Sequence, residues 1–474
     1  MMPRLPVPAW VRRFAQQHLP FADAASQDLP LPRLLRLSLF QVVIGMTMAL
    51  LVGTLNRVMI VELQVPSWWV ALAVAVPMVF APLRALIGYR SDTYPSVLGL
   101  RRIPYLWSGT LSLFGGLAVM PFALLLLSEP TPETLWLGRL GAGLAFVLVG
   151  AGIQITQTAG LALANDLSST DKQPRVVALL YTMLLLGMII SSTVFGWCLQ
   201  DFSPSRLIQV VQSCAGLVLV LNLVALWKQE ARGQRRGARA KGGFVLSMQA
   251  LLAIPQMKRF LWTVALGTVA FSMQDIILEP YGAEILGLDV GATSGLTAVG
   301  AAGSLLAFWS SAKWLSHGLH ACRLASAGVL LGLPAFAMVI FSAPLASMAM
   351  FKLGVLLIGF GGGLFSVGML ITAMSFPNKD HSGLILGAWG AVQGVAAGLA
   401  IAAGGLIRDA IAGLAGAGWL GESLQSNVTG YSFVYHVELY LLFVVLIALG
   451  PLLRKSMQLP TAKVTHFGLA EFPT

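Results

Sequence analysis

Pro104-Tyr-Leu-Trp-Ser-Gly-Thr-Leu-Ser-Leu-Phe-Gly-Gly-Leu-Ala-Val-Met-Pro-Phe-Ala-Leu-Leu-Leu-Leu127 runs without a single charged side chain. The hydrocarbon core of a bilayer is about 30 Å thick, and a helix needs about 20 apolar residues to cross it. This stretch is long enough. Arg101 and Arg102 precede it and Glu129 follows it, so its ends are polar where a membrane surface would lie. Working outward in both directions, eleven further predominantly apolar runs are long enough to cross, with few charges in each, near 37–57, 68–88, 135–163, 176–199, 206–227, 260–282, 292–314, 322–342, 348–375, 384–410 and 433–453. A membrane β-barrel would instead alternate over segments of about 10 residues.

Composition agrees. Of 474 residues, 57% are hydrophobic and 10% charged, against roughly 25% charged in a soluble domain. So few charges cannot cover a soluble globule, and they exclude disordered and disulfide-scaffold chains as well. The net charge of +11 reads as topology and attraction to lipid headgroups rather than as a nucleic-acid footprint. Cys198, Cys214 and Cys322 are widely spaced and form no CxxC, so neither a zinc nor a redox motif is present. The first 36 residues hold no uninterrupted apolar core, and no cleavable leader is expected. Trp10, Val11 and Phe14 share one side of that segment, which suits a helix lying in the interface or a basic tail.

The expected fold is an all-α integral membrane protein, with twelve transmembrane helices in two six-helix halves. A cytoplasmic or interfacial segment (1–36) leads to a six-helix bundle (37–227), a basic linker (228–259), a second bundle (260–453) and a tail (454–474). Lys and Arg gather in the N-terminal segment, the loops after spans 2, 4, 8 and 10, the linker and the tail. By the positive-inside rule both termini are cytoplasmic.

Several residues stand out as candidates for function. The loop after span 2 carries Gly88, Arg90 and Asp92, then Gly99, Arg101 and Arg102. Its Gly-x-x-x-Asp spacing resembles the opening of the major facilitator loop motif, in which a glycine admits a neighbouring helix and the aspartate latches onto a cation or helix N-terminus. The corresponding loop of the second half, Lys313 to Arg323, lacks the acidic residue. Span 7 carries Gln274, Asp275, Glu279 and Pro280. The two carboxylates are four apart and share a face if the helix is regular. Two readings stand: a proton or cargo site facing the bundle interior, or a span end that Pro280 terminates near the surface.

Gly390, Gly394 and Gly398 recur every four residues in span 11, as close helix packing requires, or a smooth groove for a flat ligand. Four glycines crowd Gly359–Gly363 in span 10. His436 and Glu438 open span 12, where a neutral imidazole could ligate a pigment magnesium. His317 and His320 have no third ligand in reach of the pattern. No Walker motif, Ser-His-Asp order or HExxH occurs, and no enzyme is expected.

Longer strings carry a more specific likeness. They are Phe80-Ala-Pro-Leu-Arg-Ala-Leu-Ile-Gly88, Arg90-Ser-Asp-Thr93, Ser96-Val-Leu-Gly-Leu-Arg-Arg-Ile-Pro-Tyr105, Phe271-Ser-Met-Gln-Asp-Ile-Ile-Leu-Glu-Pro-Tyr-Gly282 and Gly387-Ala-Trp-Gly-Ala-Val-Gln393. Together they resemble the PucC/LhaA family, the bacteriochlorophyll-delivery branch of the major facilitator superfamily. The resemblance implies a photosynthetic bacterium and its inner or intracytoplasmic membrane. It implies an assembly factor for light-harvesting complexes (LH1 or LH2) that delivers or holds bacteriochlorophyll a while α and β antenna polypeptides assemble. Reaction centre-LH1 intermediates, pigment-synthesis enzymes and membrane lipids follow as further partners, and no nucleic acid.

The residues are compatible with that. Few ionisable groups lie deep in the spans, which suits an apolar cargo. A lipid-phase macrocycle would need flat helix faces around Gly390, Gln393, Gly394 and Gly398, and one magnesium ligand from Gln, Asn, His or water. Two other classes remain open from the sequence: a proton-coupled small-molecule transporter using Asp275 or Glu279, and a permanent structural subunit beside a reaction centre.

Overall fold

The structure is a computed structural model that describes residues 29–82, 100, 102–128, 131, 134–169, 172–230, 251–252, 256–376 and 382–456. Within the spans no water is at hand to satisfy backbone groups, and helices satisfy them internally. Twelve helices result among the described residues. They are α1 (Leu31–Glu62), α2 (Ser67–Val79), α3 (Ile103–Ser128), α4 (Thr134–Leu167), α5 (Gln173–Cys198), α6 (Pro204–Leu226), α7 (Met257–Glu284), α8 (Val290–Ser316), α9 (Ala321–Ser342), α10 (Met348–Met374), α11 (Ser382–Gly416) and α12 (Val428–Ser456). Eleven are long and apolar enough to cross a membrane. The exception is α2, with 13 helical residues and Pro77 inside. The helix gives way to a turn at residues 80–82, and residues 83–88 of the expected span lie outside the described residues, as do residues 1–28, Arg232–Lys241 of the linker, and the tail from residue 457.

Most helices run longer than their apolar stretches. The first begins at Leu31 instead of 37 and ends at Glu62 instead of 57, so turns bearing Arg33, Arg36 and Glu62 extend it past its apolar stretch, with no side-chain cap at either end. Side-chain caps are present where the sequence supplies them. Ser203 accepts from the Arg206 N–H, Asp289 from the Ala292 N–H and Ser347 from the Met350 N–H.

The 6+6 division shows in the packing. α3 lies along α4, and α9 lies along α10 in the equivalent position of the second half. Each pair is drawn together by glycine. A Cβ at Gly116 would stand 2.8 Å from the Ala145 carbonyl, and one at Gly361 would stand 2.7 Å from that of Gly328. The halves meet along α2–α11 and α5–α8. Large apolar side chains such as Phe122, Trp197, Trp262 and Ile447 remain exposed on the outside, where a bilayer would cover them.

Two helices are irregular. α1 widens to π-helical turns over Ala49–Leu55 and Val58–Glu62. α7 is α-helical to Ser272, tightens to a 3-10 turn at Met273–Ile276, and resumes from Leu278. Such departures change which backbone and side-chain groups face the interior, and they recur at functional sites. The bundle has a basic end, where α6 finishes and α7 begins, and a far end opposite to it.

Candidate functional site

A cavity of ≈ 430 Å³ lies between the halves, walled by α1, α2 and α5 on one side and α7, α8, α10 and α11 on the other. The tightened turn of α7 aims polar groups at it. Gln274, Asp275 and Glu279 all line the cavity. The sequence placed the two carboxylates on one regular helix face. The structure instead separates them by the end of the 3-10 turn, yet both still reach the same space. Pro280 does not end the helix: it sits in the first turn of the resumed segment, which continues to Glu284. Glu279 is therefore interior, 3% exposed, and the surface-cap reading is corrected.

An ionisable group so placed needs partners. Glu279 accepts from Thr297 Oγ1 on α8 at 2.9 Å and from Asn56 Nδ2 on α1 at 3.4 Å. Asn56 also donates to the Ile276 carbonyl at 3.4 Å. The irregular part of α1 thus faces the irregular part of α7 across the boundary between halves. Nearby, Thr54 and Ser294 share a hydrogen bond of 3.1 Å across the same boundary.

Gln274 is held on two sides. Its backbone N–H donates to Glu438 Oε1 at 2.8 Å, and its side-chain Nε2 donates to Asp275 Oδ1 at 2.6 Å. Its Oε1 is buried and finds no partner within the protein. On α11, Trp389 and Gln393 also line the cavity, and the buried Trp389 Nε1 likewise has no protein partner. Around these groups the wall is apolar, including Met48, Met78, Met188, Phe271 and Phe308. No Lys, Arg or His lines the cavity among the described residues.

The glycine series of span 11 divides. A Cβ at Gly398 would stand 2.9 Å from Met78 Cβ and 3.0 Å from the Ala75 carbonyl, and one at Gly394 would meet Ala81. Those two are packing positions against α2 of the other half. Gly390 meets nothing within 4 Å, so the strict spacing does not mean one shared role. Gly359, in the span 10 cluster, abuts the Gly300 backbone of α8.

His436 is elsewhere. It is exposed, in a stripe with Phe433, Tyr440 and Ile447 on the outside of α12, and its Nδ1 hydrogen-bonds the Ser432 carbonyl at 2.7 Å. It does not join the cavity. Its neighbour Glu438, not singled out as a site by the sequence, points inward and is fully buried. Of the loop motif, Gly88, Arg90, Asp92, Gly99 and Arg101 lie outside the described residues. Arg102 is buried, with Nε donating to Asp166 Oδ2 at 3.0 Å.

One network escaped sequence reading altogether. At the far end Arg408 of α11 pairs with Glu284 of α7 (2.8 Å) and with its neighbour Asp409 (2.8 Å). It also donates to Tyr431 Oη at 2.8 Å, with its guanidinium 4.5 Å from that ring's centroid. Asp409 in turn accepts from the Trp68 N–H at the start of α2. The available signal was an Arg-Asp pair inside an apolar run, which a membrane interior tolerates only with partners.

Comparison with known proteins gives a consistent result. The family described as "PUCC protein" matches residues 54–457. A Rhodobacter capsulatus protein described as an uncharacterized protein in the puhA-bchM intergenic region is 50% identical over 97% of this chain and 98% of its own. Protein PucC of Rhodobacter capsulatus is 47% identical over 94% and 97%. The more distant bacteriochlorophyll synthase 44.5 kDa chain of Rhodobacter capsulatus is 28% identical over 77% and 85%. Among solved structures, a bacterial homologue of the human lysosomal transporter Spinster, inward-facing and unoccupied, superposes with TM-score 0.66 at 14% identity, over 90% of this chain and 97% of that one. That likeness gives the major facilitator fold.

Proposed function

This chain belongs to the PUCC protein family, and from that premise we propose that it is an assembly factor for bacterial light-harvesting antenna complexes, LH1 or LH2. In this reading it holds or delivers bacteriochlorophyll a and chaperones the α and β antenna polypeptides. It catalyses no reaction. It resides in the inner or intracytoplasmic membrane with both termini in the cytoplasm, so the basic end faces inward.

The observation that carries the reading is the character of the central cavity. Its walls are mostly apolar side chains and glycine, hydroxyl groups are scattered among them, and its carboxyl and carboxamide groups lie on α7 and α11. A volume of ≈ 430 Å³ lies within the usual range of about 300–1,000 Å³ for ligand pockets. The residues fit a flat apolar ring with a few polar handles, since two buried polar atoms, Gln274 Oε1 and Trp389 Nε1, are left for a partner outside the chain. When bound, bacteriochlorophyll supplies a magnesium ion with an open axial position and peripheral carbonyl groups. Met48, Met188 and Phe271 shield the ring from water, and polarizable methionines adapt to its outline.

Deleting the gene tests this. Near-infrared absorbance of the membranes should fall, and the affinity-purified protein should carry pigment and antenna polypeptides. Full antenna absorbance in the deletion strain, with neither found on the purified protein, would sink the proposal.

The buried pair Asp275 and Glu279 favours a second reading, proton-coupled transport of a small molecule. Uptake that depends on a proton gradient and is lost in Asp275→Asn would establish it. The antenna reading expects no such uptake.

A further inference from the structure

We propose that Gln274 and Trp389 form a two-point recognition site for a magnesium-centred tetrapyrrole. The Gln274 amide oxygen serves as axial donor to the metal, and the Trp389 indole N–H donates to a carbonyl on the ring. The inference rests on the pigment reading above and adds to it the chemistry by which the chain selects its cargo.

The orientation of Gln274 is fixed from behind. The amide Nε2 donates to Asp275 Oδ1 at 2.6 Å and to the Phe271 carbonyl, which can only accept, at 3.5 Å, so the protein holds the nitrogen side and leaves the carbonyl oxygen of this cavity-lining residue unpartnered. The Glu438 carboxylate accepts the Gln274 backbone N–H and fixes the turn itself. Gln274 is 7% exposed, and its Oε1 has no partner in the protein. An unsatisfied buried acceptor is unfavourable, a penalty that a bound ligand removes.

Trp389 contributes the opposite polarity. Its indole nitrogen is a donor only, buried and without a protein partner. The cargo must then offer an electron-poor centre to one residue and an acceptor to the other. Neither side chain carries charge, and no cationic side chain lines the cavity among the described residues, which disfavours anionic substrates. Magnesium is a hard cation that accepts oxygen donors, and a neutral amide oxygen in an apolar wall is such a donor, whereas His436 lies outside the cavity.

The test compares a magnesium porphyrin with the same porphyrin lacking metal, titrated into the full-length protein in detergent and followed by absorbance and fluorescence. Wild type should bind the magnesium form about tenfold more tightly, a difference of about 1.4 kcal/mol. Gln274→Met, similar in size but without the oxygen, should abolish that preference while leaving metal-free binding within about twofold. Trp389→Phe should weaken both forms alike and keep the preference. Metal-free binding in Gln274→Met, together with the separate Trp389→Phe series, guards against a misfolded variant. If wild type binds porphyrin but Gln274→Met keeps the magnesium preference, the site is overturned and the pigment reading stands. If wild type binds neither form, both are overturned.

Discussion

The two ends of the bundle are tied by different kinds of network. At the far end one tie crosses between halves, and a cluster inside the second half anchors it. Asp409 of α11 caps the start of α2 through the Trp68 N–H, and Arg408 gathers Glu284 of α7 and Tyr431 of α12 at the same level. At the basic end, among the described residues, a comparable cluster joins helices of the first half. Arg102 at the start of α3 pairs with Asp166 at the end of α4, while Glu230, beyond α6, accepts from the backbone N–H groups of Arg102 and Ile103. A polar network that bridges halves holds them closed; one that stays within a half makes that half rigid and leaves its partner free to move. The cavity lies between these two ends.

The largest effect is expected from the far-end network. Arg408→Leu leaves Glu284 and Asp409 buried without their cation. Removing one member of a buried pair costs about 3–5 kcal/mol, and here the side chains are only 16%, 20% and 19% exposed. Thermal unfolding in detergent should shift down sharply. A cysteine placed at Ser67, which is 1% exposed at the start of α2, should become reactive to an impermeant maleimide as the far end loosens. Unchanged reactivity together with unchanged stability would show that this cluster does not hold the halves.

The basic end should behave differently. Glu230→Ala removes the acceptor for two N–H groups at the start of α3, and such a cap is worth about 1 kcal/mol. Stability should fall by about that amount, with no change in maleimide reactivity of the cysteine at position 67. If Glu230→Ala opened the far end as Arg408→Leu does, the contrast between bridging and local networks would fail.

How much of this was legible beforehand depends on the kind of signal. Hydrophobic run length was enough for the helices and the 6+6 division, because a bilayer imposes one length on every span. It also found Gln274, Asp275 and Glu279, since polar groups in a span are costly and conspicuous. It could not tell interior from surface for Glu279. That turned on a 3-10 turn at Met273–Ile276, and nothing in the local composition forces one. Nor could it orient α12, where His436 faces outward and Glu438, two residues on, faces inward. Arg408 and Asp409 were visible as charges in an apolar run, but their partners are 124, 23 and 341 residues away along the chain. Pairing at such distance is a property of the fold, and a single sequence does not display it.

The smallest effect is the sharpest probe of the basic end, because its sign is what matters. Gly398 and Gly394 of α11 are pressed against α2, and a side chain at Gly394 would collide with Ala81. One turn nearer the basic end, Gly390 has nothing within 4 Å of where a Cβ would stand. Glycine in a helix interior is less favourable than alanine by about 0.8–1.0 kcal/mol, so Gly390→Ala should raise stability slightly, by up to that amount. The same substitution would destabilise if α11 there packed against the opposite half in the protein's resting state. Denaturation of Gly390→Ala in lipid nanodiscs distinguishes the two. A gain means the halves part between Gly394 and Gly390, whereas a loss means the basic end is sealed too and the seam continues past the point where the glycine pattern stops meeting a neighbour.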